Sequence, residues 1–387
     1  MLPQAAQQCR HAGVRISDRA LDGSACGRKS AHMILTFGRP GGTQTSARGY
    51  RKVAILKFGR KGALPDAMER VLVTGATGLV GRHLCAALDA AGYHVRAALR
   101  TEATVADCVA EKVIVGTIGP DTDWSRALDG VRKVVHCAAR AHFMDGVDRV
   151  CLQRDAFLET NARGTEQLGV ACVLAGVRSL VYVSSIKVHG DQTTGIPYRA
   201  MDPPSPRGAY AISKWEGERR LFAACSGSAL QVSVVRSPLV YGPGVRGNFY
   251  RLMRWVELGI PLPFGAVSNR RSLVCVWNLC DLIERLLRGD AAVQGVFLVS
   301  DDDDLSTPEL VRRLARALDR PARLLSVRPV VLETVGRLLG RGEEMSRLSH
   351  SLVVDIRETR TRLGWVPSLT VDEGLSRTVA SFRSRVR

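Results

Sequence analysis

The sequence predicts an α/β fold, a doubly wound parallel sheet followed by a smaller C-terminal lobe. Three observations predict it. Short apolar, β-branched runs alternate with helix-like segments from residue 71 to about residue 236. The first of these runs leads directly into a glycine-rich turn and then a helix pattern. Past residue 240 the alternation is lost, which suits a lobe of different construction.

The first strand is Val71–Thr74, and the turn Gly75-Ala-Thr77-Gly78-Leu79-Val80-Gly81 follows it, with a helix running to about Ala91. Strand, glycine turn and helix in that order form a dinucleotide-binding context of the Rossmann type. Gly75 permits the tight turn, Gly78 lets a pyrophosphate approach the amides at the helix start, and Gly81 lets helix and strand lie close. Thr77, Leu79 and Val80 complete the expected cofactor turn. Val95–Leu99, Val113–Val115 and Val131–Cys137 read as the next strands. Small Ala138 and Ala139 after the fourth strand would let the backbone pass close to an adenosine. A long helix pattern covers Thr160–Ala175, and Leu180–Ser184 and Gln231–Arg236 are the fifth and sixth strands. Ligands of such sheets bind at the carboxyl ends of the strands.

Composition limits the functional classes. The chain has 387 residues, 45% hydrophobic and 24% charged, which are ordinary globular values. Its net charge of +18 suggests nucleic acid until it is divided along the chain. Residues 1–67 hold twelve basic and three acidic residues, half of the excess. The remainder is mildly basic, which suits an anionic small molecule and needs neither DNA nor RNA. No apolar run is long enough to cross a membrane, so no stable membrane insertion is expected. The ten cysteines are scattered without a CxxC pair, which argues against zinc and disulfides and suits a reducing cytoplasm. No metal site is expected, and the acid run Asp301–Asp304 reads as a solvated turn. Residues 1–67 lack sustained periodicity and read as a disordered extension, with Met68 as the expected true start. The expected division is then 68–240 for the dinucleotide-binding domain and 241–387 for the second lobe, mixed with the end of the core sheet.

The chemistry gathers at two further places. Tyr210-Ala-Ile-Ser-Lys214 opens a helix pattern, and i, i+4 spacing puts both residues on one face. A free phenol has a pKa near 10, too high for a base at neutral pH. A neighbouring lysine ammonium, with the positive ring of a bound nicotinamide, favours tyrosinate. Ser184 and Ser185 stand at the end of the fifth strand, and Ser185 is the expected partner that orients the reacting oxygen toward Tyr210.

Gly75xxGly78xxGly81, Ser185 and Tyr210xxxLys214 occur in this order at the right strand ends. Over about residues 69–385 the chain resembles the extended short-chain dehydrogenase/reductases, and among them the nucleotide-sugar epimerase/dehydratase family. Asn161 in Thr160-Asn-Ala-Arg-Gly-Thr165 resembles the family's active-site-side helix. Arg236-Ser-Pro238-Leu-Val-Tyr241-Gly242-Pro243 resembles its strand-to-substrate loop.

The resemblance implies Tyr210, Lys214 and Ser185 as catalytic residues and Asn161 among the cofactor contacts, with Lys214 also on the nicotinamide ribose. It implies Asn248 and Phe249 at the nucleotide sugar and Arg271 as the clamp on its diphosphate. The cofactor is NAD or NADP. The second strand ends in Leu99-Arg100 with no acid, so Arg100 and the missing acid tilt the expectation toward NADP. Thr117, Ser237, His189 and Asn278 depart from common family residues, Asn278 standing for a frequent Asp.

The implied reaction is at C4 of a UDP-activated hexose or N-acetylhexosamine. Ser184–Val188 and His136–His142 resemble UDP-glucose 4-epimerase-like and reductase members of surface-polysaccharide pathways. A 4-ketoreductase and a non-catalytic cofactor-binding scaffold stay open beside the epimerase, and a homodimer is compatible with the resemblance.

Overall fold

Val71, Leu72 and Val73 alternate between the two faces of a strand and are fully buried, because helices cover both faces. Val71 and Val73 join one apolar core and Leu72 the other. The computed structural model describes residues 69–141, 150–289, 293–338 and 348–386. Residues 1–67, the proposed start at Met68 and His142 lie outside the described residues.

The main sheet has seven strands in the order β3-β2-β1-β4-β5-β6-β9, all parallel. They are β1 Arg70–Thr74, β2 His94–Leu99, β3 Glu111–Ile114, β4 Lys133–His136, β5 Ser179–Ser185, β6 Gln231–Ser237 and β9 Gly295–Leu298. A separate parallel pair joins β7 Leu239–Tyr241 to β8 Leu273–Cys275. The strand order reverses between β1 and β4, and their carboxyl ends form the crevice where α/β sheets bind ligands.

Helices α1 Leu79–Ala90, α2 Ser125–Leu128, α3 Val150–Leu158, α4 Gly164–Leu174 and α5 Gly208–Cys225 connect the first six strands. The expected single helix over Thr160–Ala175 is in fact a π-helical turn, Glu159–Arg163, running into α4. The later helices are α6 Gly247–Glu257, α7 Val276–Arg288, α8 Thr307–Ala317, α9 Pro329–Leu338, α10 Arg357–Leu363 and α11 Val371–Val386. A second core forms where α6, α8 and α11 meet β7 and β8, around Phe249, Leu252, Leu314 and Leu375. The chain past residue 240 is interleaved with the sheet, since α7 packs with α1 and β9 pairs with β6.

Ser306 caps α8, accepting the Glu309 N–H at 3.2 Å, and the Glu309 carboxylate pairs with Arg313 at 3.0 Å. One local expectation needs correction. The run Asp301–Asp304 is not simply solvated. Asp301 is buried, accepts from the Tyr241 hydroxyl at 2.7 Å and from the Cys275 N–H at 2.9 Å, and Asp304 accepts from Ser272. Only the two middle acids face outward, Asp303 pairing with Arg313 and Asp302 with Arg360. The four positions diverge because Asp302 takes a left-handed φ of 60° and turns the chain sharply.

Asp301 also explains Asn278. The Asn278 amide donates to Asp301 Oδ1 at 2.7 Å and to the Leu369 carbonyl at 2.9 Å, while its oxygen accepts the Leu369 N–H at 3.0 Å. An aspartate at 278 would face a second buried carboxylate. Burial already raises the Asp301 carboxyl, against the hydrogen bonds that lower it. Asn278→Asp is expected to cost roughly 1–3 kcal/mol at pH 7–8. The pair's raised folded pKa makes that cost fade as pH falls through it, which urea unfolding at pH 5 and pH 8 measures.

Among the described residues seven cysteines are free, and burial pushes the Cys85, Cys137 and Cys275 thiols up to about 12. They serve as small apolar side chains. No helix among the described residues is long and apolar enough to cross a membrane.

Candidate active site

Gly75 takes a left-handed φ of 68°, and a Cβ there would stand 2.7 Å from the Ala138 nitrogen. The ends of β1 and β4 therefore meet backbone to backbone. A Cβ on Gly81 would strike the Gly75 carbonyl. Gly78 closes the turn, donating its N–H to Gly75 O at 3.0 Å, and begins α1 in an extended conformation with no side chain as a cap. The first-turn amides of α1 are left for an anion. Thr77 and Gly78 are exposed and Leu79 and Val80 half-buried around this turn. Ala138 donates its N–H to Thr74 Oγ1 at 3.1 Å, and Ala139 is exposed beside it. These observations fit a dinucleotide pyrophosphate.

Arg100 is exposed at the end of β2. Arg96 is a different case. It is buried, pairs with Glu111 and donates to the Ala127 and Asp129 carbonyls at 2.9 Å each, so it holds the sheet edge.

Helix α5 carries Tyr210, Lys214 and Glu218 on one face at successive i, i+4 positions. Lys214 is 1% exposed, donates to the Val183 carbonyl at 2.7 Å and stands 4.0 Å over the centre of the Tyr182 ring. Burial pulls its pKa down to about 7, against the nearby Glu218 carboxylate. Glu218 is itself fully buried and spent on Arg236 at 2.6 Å and on the Ser184 hydroxyl. The downward shift expected of the Tyr210 phenol is not what the protein alone produces. Burial raises it, and the Ser185 hydroxyl at the end of β5 offsets only part. Ser184 is engaged with Glu218 instead.

Asn161 sits in the π turn and ties these parts together. Its oxygen accepts the Arg140 N–H at 2.8 Å, and its amide donates to Arg140 O and Ser213 Oγ at 2.9 Å each. Ser213 in turn donates to the Tyr210 carbonyl at 2.8 Å. The side chain expected to touch cofactor is engaged in clamping the loop after β4 to α5.

The expected substrate residues form a separate group in the C-terminal lobe. Asn248 is half-buried and accepts from Arg251. Phe249 is 3% exposed and stacks on Tyr241 at 5.4 Å, so its ring is core. It lies on the buried face of α6 with Leu252, Met253 and Val256. Arg271 is half-buried, donates to the His350 carbonyl at 2.9 Å and exchanges backbone hydrogen bonds with Leu305.

Tyr182, Glu218 and Arg236 were not singled out from the sequence as site residues. One signal existed for Glu218, the i+4 step beyond Lys214. Another existed for Tyr182, which alternation places on the same face of β5 as Ser184.

The model of the NAD dependent epimerase/dehydratase family matches residues 71–299. The chain belongs to that family. It is 41% identical over 317 residues to the UDP-glucose 4-epimerase of Vibrio cholerae, covering 81% of this chain and 95% of that protein. It is 25% identical over 254 residues to the N-acetyl-alpha-D-glucosaminyl-diphospho-ditrans,octacis-undecaprenol 4-epimerase of Escherichia coli O157:H7, covering 65% of this chain and 73% of that one. Among solved structures, MoeE5 in complex with UDP-glucose and NAD is similar at a TM-score of 0.65 and 25% identity, covering 82% of this chain and all of that one, 100%. The family's doubly wound parallel sheet is the fold seen here.

Two variants probe the geometry. A Cβ on Gly217 would press on Asn161 O and stand 2.8 Å from the Tyr182 hydroxyl. Gly217→Ala is expected to lower stability by roughly 1–3 kcal/mol in urea unfolding. Burial holds the folded-state pKa of Lys214 at about 7, below the ordinary lysine value of 10.5. The cost of burying its charge is full below pH 7 and is relieved as pH rises toward the unfolded value. Lys214→Met is therefore expected to gain stability relative to the parent at pH 6 and to keep less than half of that relative gain at pH 9, in urea unfolding at both values.

Proposed function

We propose that this chain is an NAD-dependent 4-epimerase of UDP-activated hexoses or N-acetylhexosamines. The observation that carries the reading is the placement of Tyr210 and Lys214 one helical turn apart on α5, with Lys214 bonded to the Val183 carbonyl of β5 and Ser185 at the end of that strand. It stands in a chain 41% identical to a UDP-glucose 4-epimerase.

The Gly75–Gly81 turn and the open start of α1 would hold the pyrophosphate of the cofactor, with Ala138 and Ala139 on its adenosine side and Lys214 toward the nicotinamide ribose. NAD is the preferred form, supported by the NAD in MoeE5. The initial tilt toward NADP is weakened, because Arg96 is committed to Glu111 and only Arg100 is left to meet a 2′-phosphate. When bound, NAD supplies a hydride acceptor at C4 of the sugar and a donor for its return.

Tyr210 takes the proton of the C4 hydroxyl and later gives it back, and Ser185 orients the same oxygen. In the protein alone burial keeps Tyr210 protonated. A charged Lys214 beside it supplies the positive potential that favours the phenolate. Epimerisation needs the 4-keto sugar to present its other face before hydride returns. Arg271 and Asn248 in the C-terminal lobe are assigned to the UDP end, which remains held meanwhile. A place in surface-polysaccharide synthesis is part of the same reading, supported by the lipid-linked sugar in the name of the Escherichia coli relative.

Incubation of purified protein with UDP-glucose or UDP-N-acetylglucosamine, without added nicotinamide, is expected to give the galacto epimers in the proton NMR spectrum. Tyr210→Phe is expected to lower kcat about 100-fold or more while retaining bound NAD. Stoichiometric use of added NADH on a 4-keto sugar, with no epimer formed, would make the chain a ketoreductase. Bound cofactor with no turnover of either kind would make it a scaffold.

A further inference from the structure

The ring of Tyr182 meets two ionisable groups of the candidate site. Lys214 Nζ stands 4.0 Å from the ring centre. The imidazole of His136 is stacked on the same ring, 5.3 Å between centroids and 17° between planes. The Tyr182 hydroxyl donates to Asn161 O at 3.2 Å, so the ring is held at its edge as well. Tyr182 is fully buried.

His136 is held neutral, its pKa pulled to about 3 by burial and then by Lys214. Its tautomer follows from the surrounding donors. The Thr165 hydroxyl gives its proton to Asn161 O at 2.8 Å, so it can only accept from His136 Nε2, 3.1 Å away. Nδ1 is then an acceptor for the Thr74 hydroxyl at 2.7 Å, whose oxygen accepts the Ala138 N–H. Every donor in this chain has one acceptor. The imidazole thus brings no positive charge to the ring that Lys214 meets.

The other groups near Lys214 leave it few partners for its charge. Glu218 is shared with Arg236 and Ser184. Cys137 at the end of β4 has its thiol pushed up to about 12 and is uncharged. Tyr210, one turn back on α5, is protonated in the protein alone. What touches the ammonium directly is the Val183 carbonyl and the Tyr182 face.

We propose that Tyr182 is a positioning residue for Lys214: the negative face of its ring holds the lysine in its charged form beneath the active site. The proposal rests on the reading of Tyr210 and Lys214 as the working pair. A ring face stabilises a desolvated ammonium by an amount that matters when its pKa lies near neutrality. Without it, more of the protein would carry a neutral lysine at pH 7, and the phenolate of Tyr210 would lose its support.

The test keeps the shape of the ring and changes its electrons. Tyr182→Phe is prepared together with variants carrying phenylalanine with one, two or three ring fluorines at the same position. Fluorine withdraws charge from the ring face with little change in volume, so a packing role would be unmoved. In protein saturated with NAD, the Lys214 13Cε resonance is titrated, with Lys214→Arg as the assignment control, and the alkaline limb of kcat/KM is recorded. The expected result is a titration midpoint and an alkaline limb that fall stepwise with fluorination, by about one pH unit across the series. One midpoint shared by Tyr182→Phe and all fluorinated variants would overturn the proposal. Tyr210→Phe, assayed alongside, separates the two readings. An active Tyr210→Phe removes the active-site assignment, whereas an inactive one with an unmoved Lys214 titration removes only the role of Tyr182.

Discussion

Asn161 joins the three pieces on which the candidate site is built, and it does so because the helix carrying it is locally unwound. In the π turn Glu159–Arg163 its carbonyl accepts from Thr165 and from Tyr182, and its side chain binds the loop after β4 and Ser213 of α5. Single π turns inside helices are frequent at functional sites, where they free a carbonyl for partners outside the helix. Gly217 lets α5 come close enough for this contact. If α5 stood further away, Lys214 would miss Val183, and Tyr210 would miss Ser185.

Closeness has an electrostatic consequence. The face of α5 that approaches the sheet carries a lysine and a glutamate into the buried interior. Glu218 is neutralised by Arg236, itself 2% exposed, and breaking such a buried pair is costly even where forming it adds little. His189 closes the far side, accepting from Arg236 at 2.7 Å with its pKa lowered to about 4 by burial and by that arginine. The site is thus assembled from groups whose charge states are decided by one another. Lys214, near neutrality, is the member most responsive to what binds.

Much of the fold was legible because it rests on local rules. Alternating apolar strands, glycine spacing and the i, i+4 pair are properties of neighbours in the chain, and strands β1 to β6 fall within a residue or two of where those patterns put them. Strand β9, Gly295–Leu298, escaped because it lies past residue 240, where the strand–helix alternation is lost, and pairing with β6 is what makes it a strand. The acids at 301–304 misled for a similar reason, since composition says charge and only contact says burial.

The sequence by itself determined the class of fold, the family and the shared helix face of Tyr210 and Lys214, because spacing along a helix or strand dictates which side chains share a face. The tertiary structure alone decided the charge on Tyr210 and Lys214, the clamping task of Asn161, the withdrawal of Phe249 into the core and the seat of Tyr182 under the lysine. These depend on desolvation and on partners far away in the chain, such as Asn161 and Arg140, or Asn278 and Asp301. Distances of that kind are set when the sheet closes, and no local pattern encodes them.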